Sequence, residues 1–421
     1  MEPAGRGQSP SAGALWQRTD FRHLIAALGI SHLGAKIARE ALPLTAVLVL
    51  GAGPLAMSGI TVASALPTIL MALHAGAFLD RVRRRPAMIW SDLIRCLVLL
   101  SVPLAAFLGV MSVAQLCVVA FCVSAGTLAF DIADQAYLPG LVGRDQVLTA
   151  NAAKEATDAG SEIVGPPLGG LLVQVIGGPL TILINAFSYL LSAFFLWRIR
   201  ADEETAVSLH QPDIRREIRQ GITVLWRDSV LRPLLFARFI RTFFGGMLGP
   251  FYVLYLVRDL GIAPLMLGLI VAVGGGASLI GSAVAPRLAA ALPVGPGLIL
   301  AFAVKTLGLA CVPVAGLMLG VSPWLVIGLL MMQQLLADGS TGYFAVLERT
   351  LRQRRVPAEL LGRAGATTRL VNDAPVPFAA ILGGFLAESH GIDFVLWLAI
   401  GGYALSPVVA FFSDVRKVTR V

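Results

Sequence analysis

Charged side chains are scarce in this sequence. They make up 14% of its 421 residues, whereas soluble domains carry about 25%, and 57% of the residues are hydrophobic. A soluble fold of this composition would have too little polar surface, so the sequence predicts a membrane protein with many spans. The net charge of +8 does not indicate a nucleic-acid partner, because the basic residues fall between apolar runs rather than on one polar domain.

Cysteines and catalytic motifs are few as well. The four cysteines lie inside apolar runs and show no metal-ligand spacing, so neither a metal site nor a cofactor is predicted. The chain has no phosphate-binding loop, no His-Glu-x-x-His motif and no nucleophile elbow. We therefore expect a protein that is not an enzyme and that takes its energy from an ion or solute gradient.

Long runs without Asp, Glu, Lys or Arg organise the chain. Four of them, 41–79, 96–130, 163–197 and 306–337, each hold most of two spanning helices and a turn of glycine or proline. The charges collect between these runs, which is the positive-inside pattern with both termini in the cytoplasm. The sequence predicts an all-α protein with twelve spans, at residues 22–49, 57–80, 87–109, 112–135, 150–177, 179–198, 233–257, 264–285, 296–319, 322–345, 363–388 and 391–413.

A polar segment divides the chain into two halves. Apolar residues recur there at helical spacing, which predicts an amphipathic helix on the cytoplasmic surface. Three short matches between the halves, offset by 205 to 214 residues, indicate two parallel six-helix repeats; one pairs Leu168-Gly169-Gly170 with Leu382-Gly383-Gly384. The predicted domains are a cytoplasmic tail without a signal peptide (1–20), a first half (21–198), a linker (199–232), a second half (233–413) and a cytoplasmic tail (414–421).

A strongly basic turn joins the second and third predicted spans. Residues 76–86 read Gly-Ala-Phe-Leu-Asp-Arg-Val-Arg-Arg-Arg-Pro. This string resembles motif A of the major facilitator superfamily, Gly-x-x-x-Asp-Arg-x-Gly-Arg-Arg/Lys, except that Arg83 replaces the second glycine. The continuation Ser91-Asp92-Leu93-Ile94-Arg95 resembles the branch of that superfamily that exports drugs, macrolides and siderophores.

This resemblance implies a twelve-helix transporter fold and a gating role for the motif. The implied gating residues are Gly76, Asp80, Arg81, Arg84, Arg85, Asp92 and Arg95. Asp80 would hold the cytoplasmic ends of the two halves together near the start of the eleventh span, where Arg363 is a candidate partner. Its counterpart in the second half is Ala285, so this latch would be one-sided.

The fifth predicted span contains Gly165-Pro166-Pro167-Leu168-Gly169-Gly170. The string is similar to the core of motif C, which the superfamily associates with antiporters. Prolines bend a helix and glycines let a neighbouring helix approach closely. We interpret Gly165, Pro166, Gly169 and Gly170 as a hinge and seal, and the alternative is a packed span without a mechanistic role.

Charges inside the spans are the next signal, because they are costly and usually face a cavity. In the superfamily, spans one, four, seven and ten line the central cavity, and spans two, five, eight and eleven form the interface between halves. The candidate substrate or proton residues are Lys36, Arg39, Glu40 and Glu162. Glu40 and Glu162 are the carboxylates best placed by depth to carry protons. Lys36 and Glu40 are four residues apart, so they share a helix face and can pair.

Four further charges are interface candidates: Glu155, Asp158, Arg369 and Asp373. At the offset of 214, Glu155 corresponds to Arg369, which suggests a gate between the halves. The alternative is fixed structural pairing that never breaks. In the seventh span, Arg238 and Arg241 are expected to reach the cytoplasmic surface instead.

The predicted function is secondary active export of a drug, antibiotic, siderophore or other metabolite by proton antiport with alternating access. An importer or facilitator of the same fold, or a non-transporting membrane sensor, are the alternatives. The predicted partners are a small-molecule substrate, protons and the lipid bilayer, and the chain is expected to act as a monomer. A composition rich in Ala, Gly and Arg indicates a bacterial inner (plasma) membrane. Lys36 and Arg39 would suit an anionic substrate, although Glu40 neutralises one of them.

Overall fold

The computed structural model describes residues 12–71, 83–201, 203 and 214–419, and every regular element in these ranges is a helix. Apolar runs of this length form helices in a membrane because each backbone polar group must be satisfied within the segment. Twelve helical segments cross the molecule: span 1 (Thr19–Leu50), span 2 (Pro54–Met71 in its described part), span 3 (Arg84–Phe107), span 4 (Val113–Val142), span 5 (Val147–Ile176), span 6 (Gly178–Arg198), span 7 (Leu231–Leu254, continued by a π-turn over Tyr255–Asp259), span 8 (Pro264–Ala291), span 9 (Val294–Leu317), span 10 (Pro323–Arg355), span 11 (Leu361–Asp373 and Pro375–His390) and span 12 (Ile392–Tyr403 and Leu405–Phe411). The predicted twelve-helix fold is confirmed.

The ends and breaks of these helices follow from glycine and proline. Gly51 ends span 1 at φ 60° and Gly177 ends span 5 at φ 82°, in the left-handed region where glycine is favoured. Span 11 is interrupted at Ala374, just before Pro375, which has no backbone N–H to continue the helix. Within the described ranges, nine helices are long and apolar enough to cross a membrane.

The two halves repeat one layout. Span 3 (Arg84–Phe107) and span 9 (Val294–Leu317) are offset by 210 residues at both ends. Span 1 packs on spans 5 and 6, and span 7 packs on spans 11 and 12 in the same way. Between the halves, span 5 packs along span 8 and span 2 along span 11, which is the interface expected for the superfamily.

The predicted amphipathic helix forms over Ile214–Arg227 and packs against the start of span 11. A β-carbon at Gly221 would lie 2.6 Å from the carbonyl oxygen of Arg363, so only glycine fits this contact. Leu225 is buried, whereas the Trp226 ring is exposed. The helix therefore docks on the second half and keeps an apolar edge on its surface.

The starts of spans 1 and 7 are tied to the ends of spans 4 and 10 by different chemistry. The Arg18 guanidinium donates to the carbonyl of Val142 at 3.2 Å. At the corresponding place in the second half, Asp228 accepts two backbone N–H groups that start span 7 and pairs with Arg355 at 3.0 Å. Burial alone would raise the pKa of the Asp228 carboxyl, but these hydrogen bonds and the Arg355 charge outweigh it and lower the pKa.

Candidate functional site

The basic joint resembling motif A is described only from Arg83 onward. Its first members lie outside the described residues: Gly76, Asp80 and Arg81. The Glu203 carboxylate accepts the backbone N–H groups of Arg84 and Arg85, and so caps the start of span 3. The Arg85 guanidinium donates to the carbonyls of Leu196 and Trp197, at 2.8 and 2.6 Å, and caps the end of span 6. The described arginines thus bind the joint to their own half. Glu203 was not among the predicted site residues, because no motif or spacing in the sequence marks it.

Asp92 and Arg95 form an ion pair inside the first half. Their side chains are 0% and 1% exposed. The Arg95 guanidinium also donates to the Ser31 hydroxyl at 3.0 Å and lies between the rings of Phe130 and Tyr189, at 4.8 and 4.2 Å. This arrangement joins spans 1, 3, 4 and 6 around a compensated charge, whereas the gating role implied by the family stays a prediction.

The glycine and proline string of span 5 lies between span 1 and span 8. A β-carbon at Gly165 would overlap the Lys36 side chain, and one at Gly169 would lie 3.4 Å from Ile37. On the opposite side, a β-carbon at Gly170 would overlap the carbonyl of Pro264, and one at Gly268 would overlap that of Pro166. The string therefore gives close backbone contact both within the first half and across to the second.

The two halves are in contact at the end that lies away from the chain termini. There the side chain of Gln174 accepts the backbone N–H of Leu265 at 3.1 Å, and a β-carbon at Gly384 would lie 2.6 Å from Ser58. Nearer the termini, the side chain of Arg369 is 64% exposed. The described residues thus present a transporter-like core that is sealed at one end.

Ion pairs between spans 1 and 5 border this core. Glu162 pairs with Lys36 and, at 2.7 Å, with Arg39. Arg39 also contacts Glu40 at 3.4 Å. The spacing allows Lys36 to pair with Glu40, but in the structure Lys36 reaches across to Glu162 and Asp158 on span 5 instead. Charges that share a helix face in the sequence are here divided between two facing helices.

The suggested gate between the halves is absent from the described part of this structure. Asp158 lies 3.3 Å from His32 and 3.6 Å from Lys36, all within the first half. Arg369 pairs with Asp373 on its own helix at 3.6 Å, and Glu155 is exposed and makes no ion pair with any residue that the structure describes. In this conformation the predicted partners therefore lie apart, and the gating role of these residues stays a prediction.

A cavity of about 730 Å³ lies between the halves. Of the predicted residues, Arg39 and Glu40 line it, whereas Lys36 and Glu162 lie behind them at the contact of spans 1 and 5. The Glu40 side chain is 6% exposed. Polar side chains of span 2 in the first half and of spans 7, 10, 11 and 12 in the second half complete the wall: Thr61, Ser64, Thr242, Tyr252, Gln333, Gln334, Asn372 and Tyr403. Within the described ranges, no three His, Cys, Asp or Glu residues are placed to hold a metal ion.

Two further cations line the cavity from the second half. Arg241 was expected at the cytoplasmic surface, and this is wrong: it faces the cavity from span 7. Its neighbour Arg238 also points inward and pairs with Glu348 at 3.1 Å. Lys305 of span 9 was missed, although a single lysine in an apolar span, 210 residues after Arg95, marks it in the sequence.

Comparison with known proteins decides the family. The model of the Major Facilitator Superfamily matches residues 24–376. The chain belongs to the major facilitator superfamily. It is 28% identical to the multidrug efflux pump Tap of Mycolicibacterium fortuitum over 191 residues, which is 44% of this chain and 46% of Tap. It is 22% identical to the uncharacterised transporter YvqJ of Bacillus subtilis (strain 168) over 361 residues, 84% of this chain and 82% of YvqJ.

Solved structures of the superfamily share the fold at low identity. The chain matches a bacterial homologue of the iron transporter ferroportin in its inward-facing state with a TM-score of 0.71, at 18% identity over 93% of this chain and 98% of that one. The outward-facing state of a bacterial ferroportin homologue gives 0.58, at 17% identity over 94% and 98%. A D-xylose–proton symporter gives 0.69, at 14% identity over 95% and 99%.

Proposed function

We propose that this superfamily member is a secondary active exporter of a small organic molecule, which it exchanges for protons across a bacterial plasma membrane. The observation that carries the proposal is the ion-pair network between spans 1 and 5. Glu162 holds both Lys36 and Arg39 there, and Glu40 faces the cavity beside them. Carboxylates within membrane spans mark proton and substrate pathways in many transporters.

Proton binding at Glu162 removes an ion-pair partner from two cations at once. A neutral carboxyl no longer pairs with Lys36 or Arg39, and cations in a membrane interior then depend on their remaining carboxylates, which are Asp158 for Lys36 and Glu40 for Arg39. The Glu40 carboxylate already lies 3.4 Å from Arg39, so it can accept the Arg39 guanidinium. Protonation at Glu162 therefore redistributes the ion pairs that join span 1 to span 5.

The same part of span 5 contributes to the seal between the halves. A β-carbon at Gly275 of span 8 would lie 3.3 Å from the Glu162 side chain, so the two spans touch there. Further along span 5, Gly169 packs on span 1 and Gly170 packs on span 8. A change in the ion pairs at Glu162 thus acts on the helix that closes one end of the cavity, which couples proton binding to alternating access.

The direction of transport is proposed from topology and from one relative. With both termini in the cytoplasm, the sealed end faces outward, and an exporter loads its substrate from the cytoplasm in this state. The partial match to the multidrug efflux pump Tap supports export and a drug or antibiotic among the substrates. The fold itself serves both directions, because a D-xylose–proton symporter shares it.

Inside-out membrane vesicles with an acidic lumen test the proposal. A panel of antibiotics, dyes and siderophores is added outside, and the lumenal pH is followed with a fluorescent dye. We expect substrates to accumulate and the lumenal pH to rise in vesicles that contain the protein. Glu162→Gln should abolish this exchange, because it removes the carboxylate that pairs with Lys36 and Arg39.

Glu359→Gln is the matched control, because Glu359 is an exposed carboxylate in a short turn before span 11. It should exchange protons like the unchanged protein. Accumulation that ignores the pH gradient would rule out antiport. Release of preloaded substrate together with protons, without accumulation, would identify an importer instead.

A further inference from the structure

The second half presents two cations to the cavity that have no carboxylate partner in the described part of the chain. The Lys305 amino group donates to the Thr341 hydroxyl at 2.7 Å, and the Arg241 guanidinium lies over the Phe344 ring at 5.2 Å. Neither has a described carboxylate within 4 Å. The two are close enough to interact electrostatically, so they repel each other across the cavity wall.

The repeat shows which group is missing beside Lys305. Spans 3 and 9 correspond at an offset of 210, which places Lys305 at the position of Arg95. The same offset places Phe302 at the position of Asp92. Phe302 is buried against the Phe344 ring at 4.8 Å. The cation of the first-half pair has thus been kept, while its acid has been replaced by a hydrocarbon ring.

The partner from the first span has changed as well. The turns after spans 1 and 7 keep the offset of 210, since Gly51 and Gly261 both have positive φ and spans 2 and 8 both begin at proline. This register places Arg241 at the position of Ser31, whose hydroxyl accepts a hydrogen bond from Arg95. In the second half, a neutral acceptor has therefore become a second cation.

Two like charges at mid-span are costly without a counter-ion. The cavity also contains the hydroxyl of Tyr403, a residue 1% exposed, which makes no hydrogen bond within the described ranges. We propose that Arg241 and Lys305 form an anion subsite, which binds the carboxylate or phosphate group of an organic molecule and receives from it the negative charge that Asp92 supplies in the first half. This inference rests on the proposed transport function and names the substrate class.

Cavity size and the surrounding charges limit the ligand further. A volume of about 730 Å³ lies in the range of pockets for drug-sized molecules, of roughly 300–1,000 Å³. It exceeds what an inorganic anion fills, so an organic body carries the charge. Across the cavity, the Glu40 carboxylate already contacts Arg39. On the side of Lys305, the Asp338 carboxylate lies near enough to act on the Lys305 charge, although the two do not form an ion pair. Asp338 is therefore the internal competitor of the bound anion.

Binding by the purified full-length chain tests the subsite without any pH gradient. The probes are aromatic carboxylates and their primary amides, matched in size, together with phenyl phosphate, in a neutral detergent. We expect the charged members to raise the unfolding temperature and the amides to leave it unchanged. Equal binding of acids and amides, or no binding of any charged member, would overturn the proposal.

Variants locate the subsite. Arg241→Gln and Lys305→Gln should each raise the dissociation constant of the best carboxylate by about tenfold or more, since each removes one charged hydrogen-bond donor. Lys305→Arg should retain most of the affinity, and Asp338→Asn should hold or tighten it. Arg258→Gln is the charge-matched control, because Arg258 is an exposed residue at the end of span 7. Unchanged affinity in folded Arg241→Gln and Lys305→Gln would contradict the assignment.

The anionic group has two possible sources, a soluble molecule and a lipid headgroup. Lipid nanodiscs of phosphatidylcholine, with or without phosphatidylglycerol, separate them. Displacement of the soluble carboxylate by phosphatidylglycerol, dependent on Arg241 and Lys305, assigns the subsite to lipid; no displacement assigns it to solute. Proton-driven transport of uncharged molecules together with absent anion binding would overturn this inference and leave the proposed exporter intact.

Discussion

Arg95 and Lys305 occupy corresponding positions in the two halves, yet their surroundings differ. Arg95 is enclosed with Asp92 and two aromatic rings, and no solvent reaches the pair. Lys305 has a hydroxyl partner and lines a cavity. One copy of the repeat keeps the cation as an internal brace, and the other presents it to the space between the halves.

The same difference separates the cations that lie at or beside the cavity in each half. In the first half, Lys36 and Arg39 meet Asp158 and Glu162 within 4 Å. In the second half, the cavity cations have no such partners in the described ranges. A duplicated scaffold thus carries compensated charges, suited to proton exchange, on one side and uncompensated charges, suited to a ligand, on the other.

The largest expected effect comes from breaking the buried brace. Arg95→Met leaves the Asp92 carboxylate buried and unpaired, which should lower the free energy of unfolding by about 3–5 kcal/mol. Lys305→Met breaks no ion pair with a described residue, so it leaves no buried acid there without its partner and should change stability by less than about 1 kcal/mol. Thermal unfolding in detergent measures both.

If Arg95→Met alone does not fold, the double variant Asp92→Asn with Arg95→Met provides the control. The double variant removes the stranded charge and should recover part of the lost stability. Equal losses of stability for Arg95→Met and Lys305→Met would show that the two positions serve the same structural purpose. That result would contradict the proposed difference between the halves.

The next effect concerns the seal between spans 5 and 8. Gly170→Ala should prevent close contact, because the added β-carbon overlaps the carbonyl of Pro264. We expect transport to fall at least tenfold, while Gly160→Ala on the same span, with nothing within 4 Å, stays near the unchanged rate. Met57 lines the cavity near the start of span 2 and is 2% exposed. Maleimide labelling of Met57→Cys, in a background without native cysteines, therefore reports whether the sealed end has opened. Unchanged labelling and transport in Gly170→Ala would remove the seal from the mechanism.

A smaller effect separates the two described arginines of the basic joint. Arg85→Ala removes the donors that cap span 6 and should cost about 1–2 kcal/mol, reduced from a fully buried value by partial exposure. Arg84→Ala should be close to neutral, because its contact with Glu203 uses the backbone. Unfolding in detergent compares them, and a larger loss for Arg84→Ala would indicate that its side chain carries the joint.

Sequence spacing predicted the spans but not the partners of their charges. Uncharged runs and glycine or proline turns fix where helices begin and end, so the twelve spans and the turns at Gly51 and Gly177 follow directly. Pairing depends on how two helices are rotated and how deep each lies. Lys36 therefore meets Glu162 on span 5 instead of Glu40 on its own helix, and no one-helix rule contains that information.

The cavity residues divide in the same way. Arg39 and Glu40 stand on a span that the family resemblance assigns to the cavity, and they line it. Arg241 also stands on such a span, but a long, charged side chain can extend from a span to the membrane surface, so the sequence favoured the surface for it. Lys305 stands on span 9, which the family pattern does not assign to the cavity, so only the offset from Arg95 marks it.

The smallest effect is a pH dependence found in one half alone. The low pKa of Asp228 means that its stabilising contacts are fully present above its unfolded pKa of about 3.9 and are lost as the pH falls through the folded value. Asp228→Asn should therefore lower stability at pH 7, and the difference from the unchanged protein should shrink towards zero in acid. Arg18 makes the corresponding joint in the first half through a backbone carbonyl, so Arg18→Gln should show a pH-independent difference. Unfolding curves between pH 7 and pH 3 measure both, and a parallel pH dependence of the two variants would show that the joints do not differ in the way their chemistry requires.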